Sequence, residues 1–99
     1  MTPRLRAEQR KAIDALIVDR RLEPVPVDDV RANAFLTLAE DTLIDVAHVR
    51  LPQNRYNLAY DASHAVGEAL LARYGYRTRS GPGQHEALAR FLRIVLDTP

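Results

Sequence analysis

The sequence predicts an all-α fold, an up-and-down bundle of four helices at about residues 3–19, 28–50, 53–74 and 84–97. Three observations predict it. Apolar residues recur at three- and four-residue spacing over four separate stretches. The stretches are punctuated by proline or glycine, at "EPVPV" (Glu23 to Val27), at Pro52 and at Gly75 to Gly83. No run alternates long enough to read as a strand.

Thr2 before Pro3 reads as an N-cap with proline at the first helical position. Leu5, Ala12, Ile13, Leu16 and Ile17 then form a short apolar stripe. The prolines at 24 and 26 stop this helix, each removing an amide donor and constraining the residue before it. Residues 21–27 therefore read as an extended linker within one domain, 1–99.

Asp28 and Asp29 open the second helix, as cap and as charge at the positive end of its dipole. Its inward stripe is Phe35, Leu36, Ala39, Leu43, Val46, Ala47 and Val49. Arg31, Glu40, Asp41, Asp45 and His48 make the solvent side. The third helix is rich in small residues, from Ala59 to Ala72. Tyr56, Tyr60, Ser63, Gly67 and Leu71 recur along one face, and Ala59, Val66, Leu70 and Tyr74 along another. A helix apolar on two sides is central, with neighbours on both. Gly75 ends it as a left-handed cap, with Tyr76 folding back onto the last turn. The fourth helix carries Ala87, Leu88, Phe91, Leu92, Val95 and Leu96 almost to Pro99, so its stripe needs a cover. A second copy of the chain, or a further helix beyond residue 99, would supply one.

The 99 residues suffice for one modest core. Charge nearly balances, 14 Lys+Arg against 13 Asp+Glu, so no polyanionic partner is forced. Its distribution is uneven: residues 50–93 hold seven arginines against Asp61, Glu68 and Glu86. The absence of cysteine excludes disulfides, thiolate catalysis and Cys-ligated zinc. No apolar run approaches the roughly 20 residues of a membrane span, and the N-terminus lacks a signal peptide's apolar centre. A cytoplasmic protein is expected.

"RYNLAYDASHAVGEALLARYGYR" (Arg55 to Arg77), followed by a Gly-rich link and "QHEALARFL", resembles the HEPN superfamily, the higher eukaryotes and prokaryotes nucleotide-binding domain. The matching positions are Arg55, Tyr56, Ala59, Tyr60, Ala69, Leu70, Leu71, Gly75, Tyr76, Arg77 and His85. Residues 28–50 fit the family's first core helix. The resemblance implies an all-α bundle, commonly a homodimer. It implies a role in a toxin–antitoxin or related system, with an antitoxin or nucleotidyltransferase partner, or with RNA or a nucleotide as ligand. Several members are metal-independent ribonucleases with an Arg-x(4–6)-His motif near the start of the last helix. Here the chain ends before a last helix of that kind, so a component without catalytic activity of its own is the leading expectation.

Two alternatives remain open. Arg79 and His85 satisfy the ribonuclease spacing. A histidine near neutrality can move the 2′-hydroxyl proton, and an arginine fork can hold the scissile phosphate. The other alternative is a purely structural dimerisation module. A milder binding site is predicted from Arg77, Arg79, Gly81, Gly83 and His85, where glycine backbone and a helix start could hold a phosphate. Tyr56, Tyr60, Gly67, Leu88, Phe91, Leu92 and Val95 are assigned to core or dimer packing. Asp45/His48 and Asp61/His64, with Glu68 a turn on, have i,i+3 spacing that suits surface hydrogen bonding better than metal ligation. No metal or cofactor is predicted.

Overall fold

A computed structural model describes residues 4–97. Four helices form: α1 (Ala7–Val18), α2 (Asp29–Val46), α3 (Pro52–Tyr74) and α4 (Gln84–Val95). Two short strands join them, β1 (Leu22–Pro24) and β2 (Tyr76–Thr78). The strands pair antiparallel, Leu22 opposite Thr78, Glu23 opposite Arg77 and Pro24 opposite Tyr76.

The sheet corrects the strand-free expectation. Residues 21–27 are extended, but part of this stretch is a strand rather than a free linker. Pro24 is tolerated because each strand of a two-stranded sheet is an edge. Further bonds lengthen the seam, from Val25 N–H to the Gly75 carbonyl (2.9 Å), Asp28 N–H to Ala72 (3.0 Å) and Arg79 N–H to Arg21 (3.2 Å). These close a loop of about fifty residues and fix the α2–α3 hairpin onto the rest of the chain.

The helix ends follow local chemistry. Asp28 caps α2 through its side chain, which accepts from Arg31 N–H at 2.9 Å. Pro52 starts α3, and Gly75 ends it at φ 84°, its N–H reaching the Leu71 carbonyl. The predicted cap at Thr2–Pro3 lies outside the described residues. Residues 4–6 are not helical, and α1 begins only at Ala7, where Gln9 Oε1 accepts from Arg6 N–H at 2.8 Å. At its other end α2 stops at Val46, four residues short of the expected boundary. Three short-range backbone bonds, from the N–H groups of Ala47, His48 and Val49, turn the chain there. The Arg55 guanidinium also donates to the Val49 carbonyl.

The core is Ile13 and Leu16 of α1, Leu22 of β1, Leu71 of α3, and Leu88 and Phe91 of α4. Phe91 is fully buried, with Tyr74 and Tyr76 edge-on or tilted at 5.9 and 6.1 Å. Thus the buried part of the α4 stripe, Ala87, Leu88 and Phe91, is covered within the chain by α1 and α3, whereas Leu96 at its end is exposed. Gln9 Nε2 donates to the Ile94 carbonyl (3.0 Å), and Arg6 reaches Asp97, tying the start of α1 to the end of α4.

The central helix behaves as predicted over its second half only. Ala62, Ala65, Gly67, Ala69, Leu71 and Ala72 are buried, with α2 on one side and α4 on the other. At Gly67 α4 comes close to α3, since a Cβ there would stand 2.9 Å from Leu88 Cδ1. The first turns of α3 have lost this cover, and residues 51–57 are all exposed. In α2 the stripe is narrower than predicted. Ala32 and Ala39 are buried and Phe35, Leu36, Val46 and Val49 half-buried, but Leu43 and Ala47 are exposed. They sit near the end of the hairpin, where α2 meets little beyond α3.

Candidate functional site: a histidine cleft and a basic ribbon

The predicted site residues divide between two places. Near the start of α4, His85 meets His64 of α3. Their ring centroids are 5.4 Å apart and their planes 61° apart, an edge-to-face contact. Glu68, one turn along α3, places Oε1 3.9 Å from His64 Nε2. These histidines line a cleft of about 120 Å³ with Tyr60, Ser63, Leu88, Ala89 and Leu92. Among the described residues no group of three His, Asp or Glu side chains is arranged to hold a metal ion.

The second place is the ribbon of β1 and β2. Arg77 Nε donates to Glu23 Oε1, and Arg79 Nη1 approaches Glu23 Oε2 at 3.5 Å. With Thr78 and Ser80 these three line a cleft of about 370 Å³. Gly83 stands at the N-cap of α4 with φ 85°, and the guanidinium of Arg21 lies against it. Gly81 also has positive φ, at 120°, and open space where a Cβ would go. Gln84 Nε2 donates to Thr78 Oγ1 (3.2 Å), holding the start of α4 on the ribbon.

Arg79 and His85, paired by spacing in the sequence, thus line different clefts. His85 is accompanied by His64, and Arg79 by Arg77 and Glu23. The packing assignments also separate. Gly67, Leu88 and Phe91 are core, and Leu92 and Val95 are half-buried. Tyr56 and Tyr60 are exposed at 67% and 49%. Asp45 and His48 are both exposed, as is Asp61.

Sequence reading missed Glu23, Arg21 and the partnership of His64 with His85. The signal for the first two was the charged–uncharged–charged order of Arg21-Leu22-Glu23 and Arg77-Thr78-Arg79, each only three residues long. The histidine contact joins positions on two helices and has no local signature.

No helix among the described residues is long and apolar enough to cross a membrane. Comparison with protein-family models, with curated proteins and with solved structures finds no match to this chain.

Proposed function

We propose that this chain is a HEPN-like helical interaction domain that works as a homodimer, a binding component of a toxin–antitoxin or related system without chemistry of its own. The family part of the reading is supported by the residues from Arg55 to Arg77 and by the helical architecture that they enter. The observation that carries the dimer is the uncovered first half of α3. Tyr56, Tyr60, Ser63, Gly67 and Leu71 share one face, and α4 covers that face only from Gly67 onward.

Tyr60 borders the same cleft as Ala89 and Leu92, and Leu96, 63% exposed, continues the α4 side of it one turn on. Two aromatic side chains and three aliphatic ones so make one apolar surface with a polar rim of Asn57, Ser63 and His85, the anatomy of an interface. Tyr56, Tyr60 and Leu96 alone expose on the order of 300–400 Å², the size of patch that marks interaction sites on monomers. A second copy is the occupant that suits it. Two tyrosines aligned one turn apart can stack across a two-fold axis against the same pair, so the patch is self-complementary. The area is below the roughly 800 Å² per partner of a standard interface, so micromolar association is expected.

Light scattering across a concentration series tests this. Wild type should pass from monomer to dimer, and Tyr56→Asp/Tyr60→Asp should stay monomeric with an unchanged melting temperature, because both side chains are exposed. A wild-type protein that remains monomeric throughout, or a double variant that dimerises equally well, overturns the reading.

A further inference from the structure

The two-stranded ribbon carries a second surface, independent of the dimer. Leu22 and Thr78, opposite each other in the register, are both buried. Alternation along a strand therefore turns Arg21, Glu23, Arg77 and Arg79 to the outward side. Arg79 N–H still bonds the Arg21 carbonyl, so the ribbon holds its shape through these positions. Arg77 and Arg79 share the single carboxylate of Glu23, which leaves an excess of positive charge in the cleft. Arg21 lies outside this cleft, its guanidinium against Gly83 and its Nε 3.5 Å from Asp19.

Arg77 is bound to Glu23 through Nε alone, and its side chain is 68% exposed. A guanidinium has five donors in a planar fork, so each arginine keeps donors for a second acceptor. Residues two apart on a strand lie about 6.6 Å apart, a step that two phosphate groups along an extended chain can match. Arg77 and Arg79 form such a pair. Glu23 stands between them as an acid whose oxygens occupy the places that phosphate oxygens would take.

We propose that this ribbon binds two phosphate groups of one extended chain, and that Glu23 is an internal counter-ion which the ligand must displace. Glu23 then sets the affinity: it keeps the arginines preorganised in the free protein and competes with the ligand for them.

The test uses the full chain and fluorescence anisotropy with a short labelled oligo-uridine, with inorganic polyphosphate as competitor. Wild type should bind, and log K should fall with log salt concentration at a slope of about −1.4, as for two phosphates of a single strand. Arg77→Ala/Arg79→Ala should weaken binding at least about tenfold, the loss of two charge-assisted contacts. Glu23→Gln should bind about fivefold tighter, the scale of one exposed ion pair removed. Arg90→Ala/Arg93→Ala removes two exposed cations from α4 and should change little. Polyphosphate that competes at equal phosphate concentration assigns the ligand to polyphosphates, and failure to compete assigns it to nucleic acid. No binding, equal loss in the Arg90/Arg93 variant, or unchanged affinity in Glu23→Gln overturns the proposal. Should Glu23→Gln fail to fold, judged by its helical circular dichroism, the contrast between the two arginine pairs decides.

Discussion

Phe91→Ala is expected to destabilise the protein by about 3–5 kcal/mol, the range for emptying a buried aromatic site. Phe91 is the largest of the fully buried side chains and sits where α1, β1, α3 and β2 meet α4. Ile13 and Leu16 approach from α1, Leu22 from β1, Leu71 from α3, and the rings of Tyr74 and Tyr76 from the segment around Gly75. Few of these neighbours can move into the space left behind. Tyr76 is held by the β1 register, Tyr74 by the last turn of α3, and Leu22 by both strands. Domains of this size have a total stability of roughly 5–15 kcal/mol, so the substitution removes a large share of it. Urea unfolding followed by circular dichroism should show the midpoint lower by roughly 2–4 M, taking the slope usual for small proteins. A loss under about 1 kcal/mol would mean that α1 does not seal α4 in solution.

The second large effect is expected at the crossing of α3 and α4. Gly67 costs α3 intrinsic helicity, roughly 1 kcal/mol against alanine, and close packing is its compensation. A Cβ at this position would stand 2.9 and 3.1 Å from the two methyls of Leu88 and 3.1 Å from its Cγ. Rotating the methyls away does not relieve the approach to Cγ, and Leu88 is itself buried in the core cluster. Gly67→Ala should therefore lose by overpacking about what it gains in propensity. Gly67→Leu drives a whole side chain into the same space and should cost about 3 kcal/mol, at the upper end of core overpacking. In a domain of this length that lowers the melting temperature by roughly 12–24 °C. Adding Leu88→Ala should recover part of the loss, because the new leucine then occupies the vacated volume. Strictly additive effects of the two substitutions would show that the helices do not meet at this pair.

Much of the helical framework was legible because its signals are local. Asp28, Pro52 and Gly75 mark helix ends by their own backbone chemistry, and the structure uses all three as predicted. Gly67 was likewise assigned to packing, although nothing local identified Leu88 as the residue that meets it. What escaped was non-local. Leu22 and Thr78 lie 56 residues apart, and neither flank is long enough to show alternation, so the ribbon looked like linker. The α4 stripe looked uncovered because nothing in α1 identifies its partner. Periodicity placed Leu43 on the stripe of α2, but a stripe says nothing about how far the facing helices extend. At the site, arginine and histidine types were found, whereas their pairing was not. Arg79 pairs with Glu23 across the ribbon and His85 with His64 across two helices, distances in sequence that spacing cannot reach.

The two proposals place different work on the ribbon and on the tyrosine face. One offers an exposed apolar surface at the first turns of α3, the other a pair of arginines restrained by one acid. Neither depends on the other, so variants in one should leave the other unchanged. The chain has no native cysteine, which makes single-site labelling simple. The most direct measurement is dipolar coupling between spin labels in mixtures of copies labelled at Asn57→Cys, beside the tyrosines, against copies labelled at Asp14→Cys on the exposed side of α1. A concentration-dependent coupling that is short and well defined for position 57, and weaker or longer for position 14, is the result predicted. No coupling at position 57, or a shorter distance at position 14, contradicts the assignment of the second copy to the uncovered face of α3.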